Sequence, residues 1–237
     1  YEDTGLAVIR GNVRGTDGPA SMACDSLRYY RDEDVAVLTG NASYADTSVV
    51  ARSRRIDIYR LDEIAVFSGD VVAEDVDGEA ELTAQRLVYD AARGEARSYG
   101  DPVLTTYDEE GAIDAVLRGD VIEMATETET IRAFGSTRIE TRDVMARAGV
   151  ATLFGEDERI VLDGSPSVQQ DTDRMSGGRV VVATADGEIE RVVVTGGARA
   201  DYTIEPDEPG GDLESGYVAG DSLTMYFANG DPVRTFV

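Results

Sequence analysis

The chain has 237 residues, long enough for one or two domains, with ordinary hydrophobic (42%) and charged (29%) fractions. Its formal charge is -25, from 47 acidic residues against 22 basic ones, all of them Arg, and it has no His. Such a surface repels phosphate backbones and argues against a nucleic-acid partner. The single cysteine, Cys24, allows no internal disulfide.

In chain order, Ala7, Ile9, Gly11 and Val13 alternate like a strand and read as the second half of a repeat whose first half is absent. The first full repeat follows. Cys24, Leu27 and Tyr29 lead through the turn Arg31 to Asp34 into Ala36, Leu38, Gly40 and Ala42. The next has Ser53, Ile56 and Ile58, the turn Leu61 to Glu63, then Ala65, Phe67, Gly69 and Val71. The third has Ala84, Leu87 and Tyr89, the turn Asp90 to Gly94, then Ala96, Ser98, Gly100 and Pro102.

Gly119, Ile122 and Met124 lead to Ile131, Ala133, Gly135 and Thr137. Ala148, Ala151 and Leu153 lead to Ile160, Leu162, Gly164 and Pro166. Gly177, Val180 and Val182 lead to Val192, Val194, Gly196 and Ala198. A seventh first half is Gly220, Leu223 and Met225. The anchors 27, 56, 87, 122, 151, 180 and 223 lie between 29 and 43 residues apart. Five of the late glycines follow their anchor by 13 residues, which marks the unit as structural and the gaps as loops.

Each unit is therefore expected to be two strands with one apolar face. The predicted fold is all-β: an elongated stack of about seven two-strand repeats, folded over on itself, with an apolar interior along it. Residues 1–237 are expected to form one continuous array, part of a longer chain, with open strand edges at its ends. The acidic stretch 201–216, with two Pro and three Gly, is expected to be a mobile loop insertion. The acidic turns lack the spaced ligand run of a calcium loop and read as solvated turns, so no metal and no cofactor is assigned.

The motifs CDSLRYY with VLTGNA, AQRLVYD with SYGDP, and GDSLTMY resemble the repeated signature of the OstA-like domain, found in LptA, LptC and the N-terminal region of LptD. The resemblance covers about residues 6–237. It implies a twisted β-jellyroll with an open hydrophobic groove, a periplasmic location, and lipopolysaccharide or a similar multi-acyl lipid as cargo. It also implies edge-to-edge contact with other OstA-like transport proteins and an end-to-end homo-oligomer. The residues expected to line the groove are Leu27, Tyr29, Leu38, Ile56, Ile58, Ala65, Phe67, Leu87, Tyr89, Ile122, Met124, Ile131, Ile160, Leu162, Val180, Val182, Val192, Val194, Leu223 and Met225. The strong acidity gives no electrostatic help at a phosphorylated headgroup.

Two other readings stay open. The same apolar seam serves equally as the closed core of a structural or protein-interaction solenoid. An enzyme working through paired carboxylates is the third, but there is no His to act as a base and no nucleophile–base pair, so no catalytic residue is assigned.

Overall fold

The computed structural model describes residues 5–155, 157–185, 188–204, 214–228 and 231–237. Their regular structure is extended throughout, with every strand pairing antiparallel. The chain divides into two compact units, Tyr1–Glu127 and Thr128–Val237.

The first unit holds β1 (Leu6–Asp17), β2 (Ala20–Tyr30), β3 (Val35–Ala45), β4 (Val49–Tyr59), β5 (Ile64–Asp75), β6 (Ala80–Asp90), β7 (Glu95–Tyr99), β8 (Val103–Tyr107), β9 (Ile113–Arg118) and β10 (Val121–Ala125). β1 to β6 form a meander in which each strand pairs with the next. β6 then pairs with β7 along one half and with β8 along the other. β7 pairs with β10, and β8 with β9.

The second unit holds β11 (Thr130–Thr141), β12 (Val144–Phe154), β13 (Arg159–Asp163), β14 (Ser167–Gln170), β15 (Asp173–Ser176), β16 (Arg179–Ala185), β17 (Glu188–Ile204), β18 (Glu214–Ala228) and β19 (Asp231–Phe236). It repeats the scheme: β12 pairs with β13 and β14 along its two halves, and β17 with β16 and β15.

The late glycines are corners. Residue pairs such as Gly40–Asn41, Gly69–Asp70, Gly135–Ser136 and Gly196–Gly197 have positive φ at both positions. At each one the register shifts, for example between Thr39 and Ala42. Two successive left-handed residues turn the strand sharply, which re-aims its second half. Each long strand thus contributes one half to each of two walls, and the residue two beyond the glycine stays inward. Ala42, Val71, Thr137 and Ala198 are each 1% exposed.

Where Pro follows the corner, as in Gly100-Asp101-Pro102 and Gly164-Ser165-Pro166, the missing N–H breaks the ladder and one pass becomes two short strands, β7/β8 and β13/β14.

One expectation is corrected. Residues 201–204 and 214–216 are not loop: they extend the β17–β18 ladder, with Asp201 opposite Tyr217 and Ile204 opposite Glu214. Residues 205–213 of the expected loop lie outside the described residues. The turns expected at 31–34, 61–63 and 90–94 do connect successive strands.

Candidate functional site: an apolar trough between two walls

Within each unit the inward residues line up across the strands as files. In the first unit one file runs Ile9, Leu27, Leu38, Ile56, Phe67, Leu87, Ser98, Ile122, each opposite the next. Beside it, farther from the corners, runs Ala7, Tyr29, Ala36, Ile58, Ala65, Tyr89, Ala96, Met124. In the second unit the inner file is Ala133, Ala151, Leu162, Val180, Val194, Leu223, and the outer one Ile131, Leu153, Ile160, Val182, Val192, Met225.

All twenty expected groove residues fall in these files, but the files differ. Beyond the exposed edge strand β1, where Ile9 is 53% exposed and its neighbour Leu27 half-buried, the inner one is sealed: Ile56, Ile122, Val180 and Val194 are 0% exposed. In the outer file Tyr29, Ile58, Ala65, Tyr89, Met124, Ile131, Ile160, Val182 and Met225 are half-buried, while Val192 is buried. Burial thus decreases from the corner toward the hairpin turns, as expected of two walls that meet at the corners and diverge beyond them.

The opposing wall was missed in the sequence. In the first unit it carries Gly15, Met22, Tyr44, Ala51, Ala73, Leu82, Leu104, Leu117, again each opposite the next. In the second it carries Ile139, Ala146, Val168, Met175, Ala200, Val218. The signal was available: Met22, Ala51, Leu82, Leu117, Ala146, Met175 and Val218 each stand five residues before an anchor.

The walls touch. Tyr44 meets Phe67 edge to face, with centroids 6.3 Å apart and rings at 78°. In the second unit Ala146 and Ala200 of one wall share a buried cluster with Leu162, Val180 and Leu223 of the other.

Few polar groups interrupt the interior. Ser98 Oγ donates to the Ile122 carbonyl at 3.0 Å, and Ser53 Oγ to that of Arg55 at 2.8 Å. Thr137 Oγ1 is buried without a partner. Burial pushes the Cys24 thiol pKa up, which keeps it protonated.

Polar groups return where each wall meets its hairpin turns. Tyr29 donates to Asp34 at 2.6 Å, which raises the phenol pKa, and Tyr44 donates to Asp46 at 3.1 Å. Burial first, then the charge of Asp46, pushes Tyr44 up to about 12. Apolar files on the two facing walls thus run between the corners and polar residues at the hairpin turns. Among the described residues no cluster of three or more His, Cys, Asp or Glu side chains is placed to hold a metal ion.

The model of the family described as LptA/(LptD N-terminal domain) LPS transport protein matches residues 52–188, more than half of the chain. Among solved structures, the chain is similar to LptH, described as the LptA homologous periplasmic component of the conserved lipopolysaccharide transport device from Pseudomonas aeruginosa. The two are 17% identical, with a TM-score of 0.42 over 57% of this chain and 92% of that one. No curated protein matches the chain.

Proposed function

The chain belongs to the LptA/(LptD N-terminal domain) family of LPS transport proteins, and on that premise we propose that its trough shields the acyl chains of lipopolysaccharide, or a similar multi-acyl lipid, in the periplasm. The observation that carries this reading is the partly exposed outer file of the first unit. A closed core would bury Ile58 and Met124 as fully as it buries Ile56 and Ile122, yet these residues stay partly exposed beside sealed neighbours on the same strands. Hydrocarbon laid along such a file gains about 0.8 kcal/mol per methylene removed from water. Binding therefore needs no charge attraction, which suits a chain of net charge -25. This is a carrier's task without bond chemistry.

The exposed edge strand β1, which pairs with β2 alone among the described residues, offers a free ladder to another OstA-like protein or a second copy. A second reading, a closed structural solenoid without cargo, is favoured by the sealed inner file.

Ala65 separates the two readings. It is small, half-buried, and stands between Ile58 and Tyr89 in the outer file. Native mass spectrometry of the wild type with lipopolysaccharide should show a defined mass gain. Ala65→Trp should abolish it while circular dichroism stays unchanged. No adduct on the wild type, or an equal one on the folded variant, overturns the carrier reading.

A further inference from the structure

We propose that Arg60 is a tie across the mouth of the first unit's trough, closing it to incoming acyl chains until the tie breaks; this rests on the carrier reading. The strand register sets the geometry. Ile56 and Ile58 face inward on β4, and Arg60, two residues on, continues that side past the strand end. On the other wall Val13, Gly15 and Asp17 face the same way, opposite Cys24, Met22 and Ala20. Asp34 likewise precedes the inward Ala36 and Leu38 of β3.

These lip residues meet. Arg60 Nη2 lies 3.4 Å from Asp17 Oδ2 on the opposing lip, and Nη1 lies 3.9 Å from Asp34 Oδ1 on its own. Asp34 in turn accepts from Tyr29 at 2.6 Å, and the Arg60 backbone N–H donates to the Asp34 carbonyl at 3.2 Å. The result is a polar bridge from one wall to the other, beside the half-buried Tyr29 and Ile58.

Arg93, on a neighbouring turn, shows the contrast: its ion pair is with Asp90 on its own lip, at 3.6 Å. The bridge is also built to break. The side chains of Arg60, Asp17 and Asp34 are 49%, 59% and 28% exposed, so water and salt weaken it. A buried pair would lock the mouth, whereas an exposed one gates it.

The test is stopped-flow association of cis-parinaric acid, a fluorescent fatty acid, with the wild-type chain of residues 1–237, Arg60→Gln, Asp17→Asn and the control Arg93→Gln, at low and high sodium chloride. The first two variants should each bind about two- to fivefold faster than wild type, the range set by an exposed ion pair. Arg93→Gln should match wild type, and salt should speed the wild type toward Arg60→Gln. Arg60→Gln and Asp17→Asn shift net charge in opposite directions, so acceleration of both cannot come from steering an anionic probe. Probe binding to Arg60→Gln alone also supports the tie. Equal rates in wild type and Arg60→Gln overturn the tie and leave the carrier reading standing. Absence of probe binding in both overturns the carrier reading and the tie with it.

Discussion

Replacing Gly164 by Ala should destabilise the second unit far more than replacing Gly197 by Asn, although both glycines sit at corners with positive φ. Gly164 has φ +83°, and a Cβ there would stand 3.1 Å from Gly149 Cα and 3.2 Å from Gly149 N. Both contacts are backbone, on a strand held by the pairing of Val150 with Asp163, so the neighbour cannot swing aside like a flexible side chain. The left-handed conformation costs an L-residue about 1–2 kcal/mol, and the forced shift of packed backbone adds about 1–3 kcal/mol. Gly197 has φ +71° and nothing within 4 Å of its added Cβ. It is the second corner residue, where other repeats place Asn12, Asn41, Asp70, Asp101, Ser136 and Ser165, all with positive φ. Asn tolerates that conformation, and a less flexible unfolded chain offsets part of the cost, so Gly197→Asn should stay within about 1 kcal/mol of wild type. Urea unfolding followed by circular dichroism, with the midpoint read at constant m-value, measures both. A third variant, Gly149→Ala, tests the cause. Its Cβ meets nothing closer than 3.5 Å, so it should be mild although it sits in the same contact. Equal losses for Gly164→Ala and Gly197→Asn would refute the corner argument.

Two further outcomes follow from the trough. Ile56→Ala, at a sealed position, should cost about 2–5 kcal/mol; Ile58→Ala, two residues on and half-buried, should cost about half as much, and equal losses in urea titration would contradict the difference between the files. Spectrophotometric titration should find Tyr44 ionising near pH 12, absent in Tyr44→Phe. Because its folded pKa is raised above the usual 10, the folded state holds that proton more tightly. The stability it contributes is therefore complete below pH 10 and lost as pH rises toward 12, and a wild-type stability curve parallel to that of Tyr44→Phe over this window would refute the assignment.

The repeat was legible because its spacing is physical. A corner that needs two left-handed residues selects Gly followed by Asn, Asp or Ser, and each anchor fills the same slot of a sheet ladder. Ile56 and Ile122 were therefore found with their neighbours already in register. The second wall was not legible for an equally physical reason. Along the strands that carry the anchors the inward positions are five and three before the anchor, then the anchor itself and two after it. Leu82, Ala84, Leu87 and Tyr89 show the slip, since two β5 residues, Gly69 and Asp70, stand opposite the single β6 residue Gln85, and the phase of alternation on β6 changes there. Strict alternation carried back from Leu87 selects Gln85 and Thr83, which are exposed and half-buried, and passes over Leu82. The same slip made one strand look like one face, when it lines two.

The slip also explains why the groove residues, taken together in sequence, separate in function. The corner fixes how closely the walls approach, so residues beside it have no room to be anything but core: Ala42, Val71 and Ala198 are small or branched and sealed. Space for a ligand can open only with distance from the corner, where residues such as Ile58, Ala65 and Met124 lie and where the polar lips begin. Sequence periodicity weights both files equally because both obey the same alternation, whereas exposure ranks them. A substitution that narrows the outer file therefore tests cargo binding, and one that empties the inner file tests folding. Leu87→Ala should lower stability while leaving the outer file, and with it the capacity for hydrocarbon, in place. Ala65→Trp should do the reverse. If instead lipid binding falls in step with stability across both variants, the two files act as one core and the trough is closed.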